Sequence, residues 1–421
     1  MKHPLRSAGR LLPLAVKERM NQLVGRELFD LRFYLQFQPQ SIALAAGPIQ
    51  GIEYATVAPA RKRVALITPH LGPGGAEKVL LDIAGACDRS EYEIILVATQ
   101  SEDDRWISRW REKVDHIYDL ARIVLPEQMP AAIYSLAKNW AMDLVLVQNT
   151  LAAYTVVRAL KKARPETHIV DLIHAVDEHW DIVKATRAAG PYFDERIAVS
   201  EAARERLLET GISEDKVRLI RSGIDLKRFT PAAVRSEQPH RILFAGRLDP
   251  VKQPLLLVDI ATELRQRDTA NFEIVVAGDG PESSRLRERV QRAGLEGIFK
   301  FLGNVSDMAP VFQSADVLVV TSRTEGIPLA ALEAMACARP VVALNAGAVG
   351  EVVDETTGVL ISNSKNPAAD LAEAISELLA DPGCRETLGR QGRARIESDY
   401  DAQRAAAAYR DLFTYLRRWR T

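Results

Sequence analysis

From about residue 63 the chain repeats one design: a short apolar run, a polar or glycine-rich loop, then a stretch with helical spacing of its apolar positions. The runs Val64–Thr68, Glu93–Ala98, Leu144–Gln148, Ile169–Ile173 and Ile197–Val199 read as buried strands. Helices are expected at Glu77–Cys87, 127–140, 150–163 and 201–210. After Phe229-Thr230-Pro231 the design starts again, with strands at Ile242–Ala245, Phe272–Ala277, Ile298–Leu302, Val317–Val320, Val341–Ala343 and Gly358–Ile361. Helices Leu255–Arg265, Leu329–Ala338, Ala368–Leu379, Cys384–Ile396 and Tyr400–Trp419 alternate with these strands or follow them. Near-continuous apolar strands alternating with helices specify parallel sheets covered on both faces. The fold class expected is α/β, two doubly wound Rossmann-like domains with an N-terminal helical extension.

Four segments follow from this pattern: an extension and linker over 1–60, a first domain over 61–228, a second over 229–398, and a last helix over 399–421. Leu11–Phe37 can form amphipathic helices, and Gln38–Ala60 reads as a linker. The basic and apolar residues of Lys2–Arg26 and Arg417–Arg420 fit contact with an anionic membrane face, and Leu11–Phe37 fits a membrane or partner surface and a helical extension packed on the first domain equally well.

Length changes this picture little, since 421 residues exceed what one core usually serves. Apolar and charged fractions of 47% and 26% are those of a globular chain, and a net charge of −1 gives no general field for nucleic acid. Three widely spaced cysteines, Cys87, Cys337 and Cys384, match no metal pattern and suggest a reducing compartment. The apolar patch Leu11–Val16 is too short for an export signal, so a cytoplasmic location is expected.

In doubly wound sheets ligands bind beyond the carboxyl ends of the strands. The loops that matter are therefore Pro69–Ala76, Gln148–Thr150, His174–His179, Gly246–Gln253, Gly278–Pro281 and Thr321–Gly326. Arg247 and Lys252 put two cations in one such loop before a helix, which suits a diphosphate; two solvated surface cations are the plainer alternative. Gly72-Pro73-Gly74-Gly75 opens another helix, without the GxxxxGK[ST] of a P-loop. GDGPES lacks the third glycine of a dinucleotide fingerprint, which disfavours a nicotinamide cofactor. Pro328 suits the first position of the helix after Thr321–Gly326. Glu325 precedes that helix and Glu333 lies within it among Leu332, Ala334 and Met335, where a carboxylate needs a partner or a wet cleft; the plainer alternative is that Glu325 complements the helix dipole and Glu333 faces solvent. His174 ends a strand, while HAVDEH, with Asp177 and His179, has no usual zinc spacing. Glu102-Asp103-Asp104 reads as a solvated charged loop.

Taken in order, GGAE at Gly74–Glu77, SGIDLKRFTP at Ser222–Pro231, FAGRLDPVKQP, VVAGDGP, FLGNVSDM, ADVLVVTSRTEGIPLAALEAMACARPVVA and the spaced Gly347, Glu351 and Gly358 resemble the glycosyl transferases group 1 family, retaining enzymes of GT-B architecture that use nucleotide sugars. The resemblance runs from about Arg63 to the C-terminus. It implies that Arg247 and Lys252 hold the donor diphosphate, that Glu325 meets the transferred sugar, and that His174 is the active-site histidine, these four being the catalytic set. It further implies donor contacts at Gly74, Gly75, Gly246, Gly278, Gly280, Asn304, Val305, Met308, Gly326, Ile327, Pro328 and Leu329, with Glu333 on the ribose. No cofactor and no metal are implied, and no metal-binding Asp-x-Asp motif is read. The implied partners are a nucleotide sugar and a glycan or lipid-linked acceptor, with peripheral contact at the inner membrane face and no nucleic acid. An epimerase, a phosphorylase or a non-catalytic sugar-nucleotide binder would share this architecture. Ala338, Gly350 and Arg221-Ser222 depart from the family pattern, and none removes a charge from the implied site.

Overall fold

The computed structural model describes residues 61–100, 103–174, 186, 188–233, 239–267, 269 and 271–418. The expectations for 1–60, Asp177, His179, Trp419 and Arg420 lie outside the described residues. Two compact units form. One holds residues through Pro73, Asp88–Leu172 and the segment ending at Arg196; the other holds Gly74–Cys87, the short stretch around His174, and the chain from Ile197 onward.

The first sheet comprises β1 (Lys62–Thr68), β2 (Tyr92–Ala98), β3 (His116–Asp119), β4 (Leu144–Gln148), β5 (His168–Ile173), β6 (Glu195–Ala198) and β7 (Val217–Leu219), in the order β3-β2-β1-β4-β5-β6-β7. β1 runs parallel to both β2 and β4. Its residues Val64–Thr68 are buried without alternation, as expected for a strand covered on both faces. The second sheet comprises β8 (His240–Ala245), β9 (Phe272–Ala277), β10 (Phe299–Gly303), β11 (Val317–Val320), β12 (Val341–Leu344) and β13 (Gly358–Ile361), in the order β10-β9-β8-β11-β12-β13. All of its pairings are parallel.

Each order reverses once: between β1 and β4 in the first sheet, and between β8 and β11 in the second. At such a switch point the two flanking connections leave toward opposite faces and a crevice opens at the strand ends. The loop carrying Arg247 and Lys252 follows β8, and the loop carrying Glu325 follows β11. Topology alone therefore brings these two loops side by side.

Among the described residues the helices in chain order are α1 (Gly75–Ala86), α2 (Ile107–Arg111), α3 (Met129–Asn139), α4 (Leu151–Ala163), α5 (Glu201–Glu209), α6 (Leu256–Gln266), α7 (Ser283–Arg292), α8 (Ala309–Ser314), α9 (Leu329–Ala336), α10 (Pro367–Ala380), α11 (Pro382–Asp399) and α12 (Ala402–Arg418), and helices cover the second sheet on both faces. α6 (Leu256–Gln266) and α10 (Pro367–Ala380) pack together on one, burying Leu257, Ile260, Leu371 and Ile375. On the other, α9 (Leu329–Ala336) buries Leu332, Ala334, Met335 and Ala336 and packs on α11 (Pro382–Asp399). α1 (Gly75–Ala86) belongs to this second unit although its sequence follows β1. The last helix, α12 (Ala402–Arg418), lies along it. The segment before the second sheet is tied to the start of α12 by Ile224 N–H donating to Tyr400 O (2.7 Å) and Ala402 N–H donating to Ile224 O (3.0 Å). Among the described residues no helix is long and apolar enough to cross a membrane.

The acidic run is not simply solvated. Asp103 accepts from Arg105 Nε at 2.8 Å and folds over Gly72, where a Cβ would meet it at 2.7 Å. Asp104 pairs with Arg122 at 3.0 Å; Glu102 lies outside the described residues.

Candidate active site

Asp249 organises the loop after β8. Its Oδ2 accepts from Arg247 Nε at 2.8 Å, and its Oδ1 accepts from the backbone N–H groups of Val251 and Lys252, each at 3.0 Å. This is an Asx turn, in which a short carboxylate replaces backbone partners and fixes the chain. One buried acid thus sets both cations, leaving the Arg247 guanidinium largely in solvent at 63% side-chain exposure. The GDGP loop backs this turn. Leu248 N–H donates to Asp279 O and Glu282 N–H to Leu248 O, at 3.0 and 2.9 Å. A Cβ on Gly278 would stand 1.9 Å from Gly246 O, and one on Gly280 2.5 Å from Leu248 O. Those two glycines permit the close approach of backbone to backbone.

The loop after β11 closes on the same turn. Thr321 Oγ1 donates to Lys252 O at 2.7 Å, and Arg323 N–H donates to Val251 O at 2.9 Å. Lys252 Nζ then meets Glu325 Oε1 at 2.5 Å, and the buried Ser322 hydroxyl donates to the same oxygen at 2.6 Å. Behind Glu325, Gly347 adopts φ +59° with its Cα against Glu325 O, where a Cβ would come within 2.0 Å. Ala348 N–H donates to that carbonyl at 3.2 Å.

Gly326-Ile327-Pro328 leads into α9. Pro328 is the N-cap residue, with extended φ −73° and ψ 94°, and the helix begins at Leu329. The expected first-turn place for Pro328 is thus one residue off, and its lack of an N–H costs nothing at a cap. No side chain caps α9, so the partial positive charge of its N-terminus is left to an incoming anion. Glu333, one turn in, is pushed by burial to about 7, against the pull of Lys78 and Arg228. Gly75 fits against α9, a Cβ there lying 3.4 Å from Leu329 Cδ1. Glu77, 8% exposed, is also pushed by burial to about 7, with its own backbone N–H and the Arg247 guanidinium drawing it down.

Of the remaining candidates, Asn304 is exposed, while Val305 and Met308 pack on the core beneath α9, with Met308 capping the short helix Ala309–Ser314. His174 follows β5 half-buried, and desolvation pushes its imidazole down to about 4, so it is neutral at neutral pH. Asp399-Tyr400-Asp401 does have Asp-x-Asp spacing, but it forms the junction of the last two helices. Tyr400 is buried there and Asp401 Oδ1 accepts from Gln403 N–H at 2.9 Å.

Two family models match: "Glycosyl transferases group 1" over residues 239–381 and "Glycosyltransferase Family 4" over 73–228. A D-inositol 3-phosphate glycosyltransferase of Actinosynnema mirum is 31% identical over 305 residues, 66% of this chain and 69% of that protein. The chain belongs to the glycosyl transferases group 1 family. A D-inositol 3-phosphate glycosyltransferase of Paenarthrobacter aurescens is 34% identical over 219 residues, 49% of this chain and 53% of that protein. The chain thus spans about half to two thirds of the length of such curated relatives, 53% and 65% for two of them. Among solved structures, Anabaena Alr3699/HepE in complex with UDP and glucose superposes with a TM-score of 0.70 at 21% identity, covering 84% of this chain and all of that one. This likeness bears on the fold, which is GT-B.

Against the family pattern, the structure joins Lys252 to Glu325 directly and Arg247 to Lys252 through Asp249. Three residues lie within the quoted motifs without a role being read for them: Asp249, Ser322 and Glu77. Asp249 had a signal, as an Asp-Pro in a loop two residues past an arginine is Asx-turn chemistry. Ser322 had none although its partner Glu325 is only three residues on, since a serine in a loop signals no particular acceptor; Glu77 had none because what surrounds it is distant in sequence.

Proposed function

We propose that this protein moves a sugar from a nucleoside diphosphate donor to an acceptor hydroxyl with retention of configuration and without a metal ion. The acceptor is a glycan or lipid-linked glycan of a bacterial surface polysaccharide or glycolipid, built at the cytoplasmic membrane face. The observation that carries this reading is the Lys252–Glu325 contact at the switch point of the second sheet, beside Arg247 and the uncapped N-terminus of α9.

In this mechanism negative charge grows on the diphosphate as the glycosyl bond breaks. Arg247, Lys252 and the first N–H groups of α9 stabilise that charge, which is the preorganised electrostatic help that lowers such barriers most. Glu325 aligns Lys252 and accepts from sugar hydroxyls; Glu333 accepts from the ribose. The neutral His174 accepts a hydrogen bond from the sugar. The UDP held by Alr3699/HepE supports a diphosphate ligand, and the D-inositol 3-phosphate glycosyltransferases support transfer to a polar acceptor.

The test is a thermal-shift panel of UDP-, GDP- and ADP-sugars on the purified protein, followed by product analysis with the stabilising donor in EDTA. Transfer with retained anomeric configuration is expected. Inversion, loss of turnover in EDTA, or no response to any nucleotide sugar would each overturn the corresponding part.

A further inference from the structure

The loop after β10 is joined to the cation turn through backbone contacts. Gly278 N–H, in the GDGP loop that backs that turn, donates to Gly303 O at 2.8 Å. Gly303 takes φ +63°, and the pairing of β9 with β10 shifts register between Phe301 and Gly303. A bulge of this kind re-aims the residues beyond it. Those residues include Val305 and Met308, half-buried and packed on the core beneath α9, and Met308 leads into α8, which packs on α9. The loop is fastened again from 79 residues away in the chain. Arg228 donates to Asp307 Oδ1 from Nη2 at 2.9 Å and from Nε at 3.2 Å, and Nη2 reaches Ser306 O at 3.4 Å. The same Asp307 oxygen accepts from the N–H of Ala309, the first residue of α8, at 3.4 Å. Arg228 is fixed in its turn. Asp225 Oδ1 accepts from the N–H groups of Lys227 and Arg228 at 3.0 and 3.2 Å. The buried Phe229 meets Phe312 of α8 edge-on, with 6.1 Å between ring centroids. At 38% and 61% side-chain exposure the Arg228–Asp307 pair contributes little to folding, so its effect is on where the loop stands.

Resting on the donor reading above, we propose that Arg228, acting through Asp307, positions the loop Asn304–Met308 against the nucleobase of the donor and so sets which nucleoside diphosphate the site prefers. With the diphosphate at Arg247, Lys252 and the N-terminus of α9, a nucleoside lying toward β9 and β10 meets this loop. A base is apolar on its faces and polar at its edges. Val305 and Met308 offer apolar surface, and the backbone groups of the loop offer hydrogen bonds to the edges. Such contacts tell one base from another only while the backbone is held to within about 0.5 Å. Arg228 is then a positioning residue: it touches the loop and not the donor.

Isothermal titration of the full chain with UDP, GDP, ADP and inorganic pyrophosphate tests this. The wild type should prefer one base. Arg228→Met and Asp307→Ala should each weaken that nucleotide about 3- to 10-fold, weaken the other two less, and leave pyrophosphate, which has no base, within about twofold. The double variant should bind no worse than the poorer single one, and Arg228→Lys should recover part of the preference. Unchanged nucleotide affinities in both variants, equal losses for all three nucleotides, a matching loss for pyrophosphate, or a wild type indifferent to the base each overturn the role of Arg228 and leave the donor reading intact. Failure of all three nucleotides to bind removes the donor reading and this inference with it. Circular dichroism shows which variants fold; if Arg228→Met does not, Asp307→Ala and Arg228→Lys decide by the same comparison of bases.

Discussion

Lys252 Nζ stands 2.5 Å from Glu325 Oε1, joining the two loops that leave the switch point of the second sheet across 73 residues of chain. Each side chain fixes the other, so under the proposed function neither acts independently. Lys252→Met and Glu325→Gln should each lower kcat about 100- to 1000-fold, the usual loss when one preorganised charge partner is removed. The double variant should lose far less than the product of the two, because their interaction is counted twice. Steady-state kinetics of the four proteins checks this, and multiplicative losses would show that the contact has no catalytic meaning.

Ser322 donates to that same oxygen of Glu325 at 2.6 Å. Ser322→Ala should therefore reduce kcat by roughly 10- to 150-fold, consistent with about 1.5–3 kcal/mol for one hydrogen bond to a charged group. Its effect should vanish in the Glu325→Gln background. Equal effects in both backgrounds would assign Ser322 to packing alone.

Much of this site can be read from the chain, and the limit of that reading is physical. Apolar runs such as Val317–Val320 mark buried strands, and the residues just after them are forced to the strand ends, so Arg247, Lys252 and Glu325 are findable. Strand order is not written in local pattern, since it depends on pairing between segments far apart. That β8 and β11 are neighbours had to come from the fold. β3, with the sequence HIYD, sits at a sheet edge with all four residues half-buried, so it carries no unbroken apolar run. The unit in which Gly74 and Gly75 reside is also non-local: α1 packs on α12 and touches α9 by way of Leu329.

The raised carboxyl of Glu333 predicts a stability that falls with pH. A carboxyl whose folded value lies above its unfolded one favours folding while protonated; that contribution is complete below about 4.5 and lost as pH rises to about 7. Glu333→Gln should therefore raise stability at pH 8 by about 1–3 kcal/mol and change little at pH 4. Urea unfolding without nucleotide at both pH values checks the sign. A larger gain in acid would mean that Glu333 is ionised and paired in the folded state.

Ala338 has φ +58°, just past the end of α9, in the left-handed region where a helix commonly finishes on glycine. That conformation is unfavourable for an L-residue by about 1–2 kcal/mol. Part of that is returned by the lower unfolded-state entropy of alanine relative to glycine, about 0.4–1 kcal/mol. Ala338→Gly should thus stabilise the chain by about 0.5–1 kcal/mol. Chemical denaturation measures it, and a loss of stability would show that the methyl contributes more by packing than the backbone loses.

Glu351 offers a sharper case of charge at a helix end. Its Oε2 accepts from Glu201 N–H at 2.8 Å and its Oε1 from Ala202 N–H at 2.6 Å, while Ser200 Oγ accepts from Ala203 N–H at 3.1 Å. The first three N–H groups of the helix Glu201–Glu209 are thus satisfied by two side chains, one local and one 149 residues away. A carboxylate here gains from the helix dipole as well as from two hydrogen bonds. Glu351→Ala leaves two donors to be rescued by water and should cost about 1–3 kcal/mol. Glu351→Gln keeps one acceptor oxygen and should cost about half as much, and Ser200→Ala about 1 kcal/mol. Amide exchange should quicken at Glu201 and Ala202 in the Glu351 variants and at Ala203 in the Ser200 variant. If Glu351→Ala leaves exchange at Glu201 and Ala202 unchanged, the carboxylate does not hold that helix, and the spacing of Glu351 from Gly347 and Gly358 must answer to some other constraint.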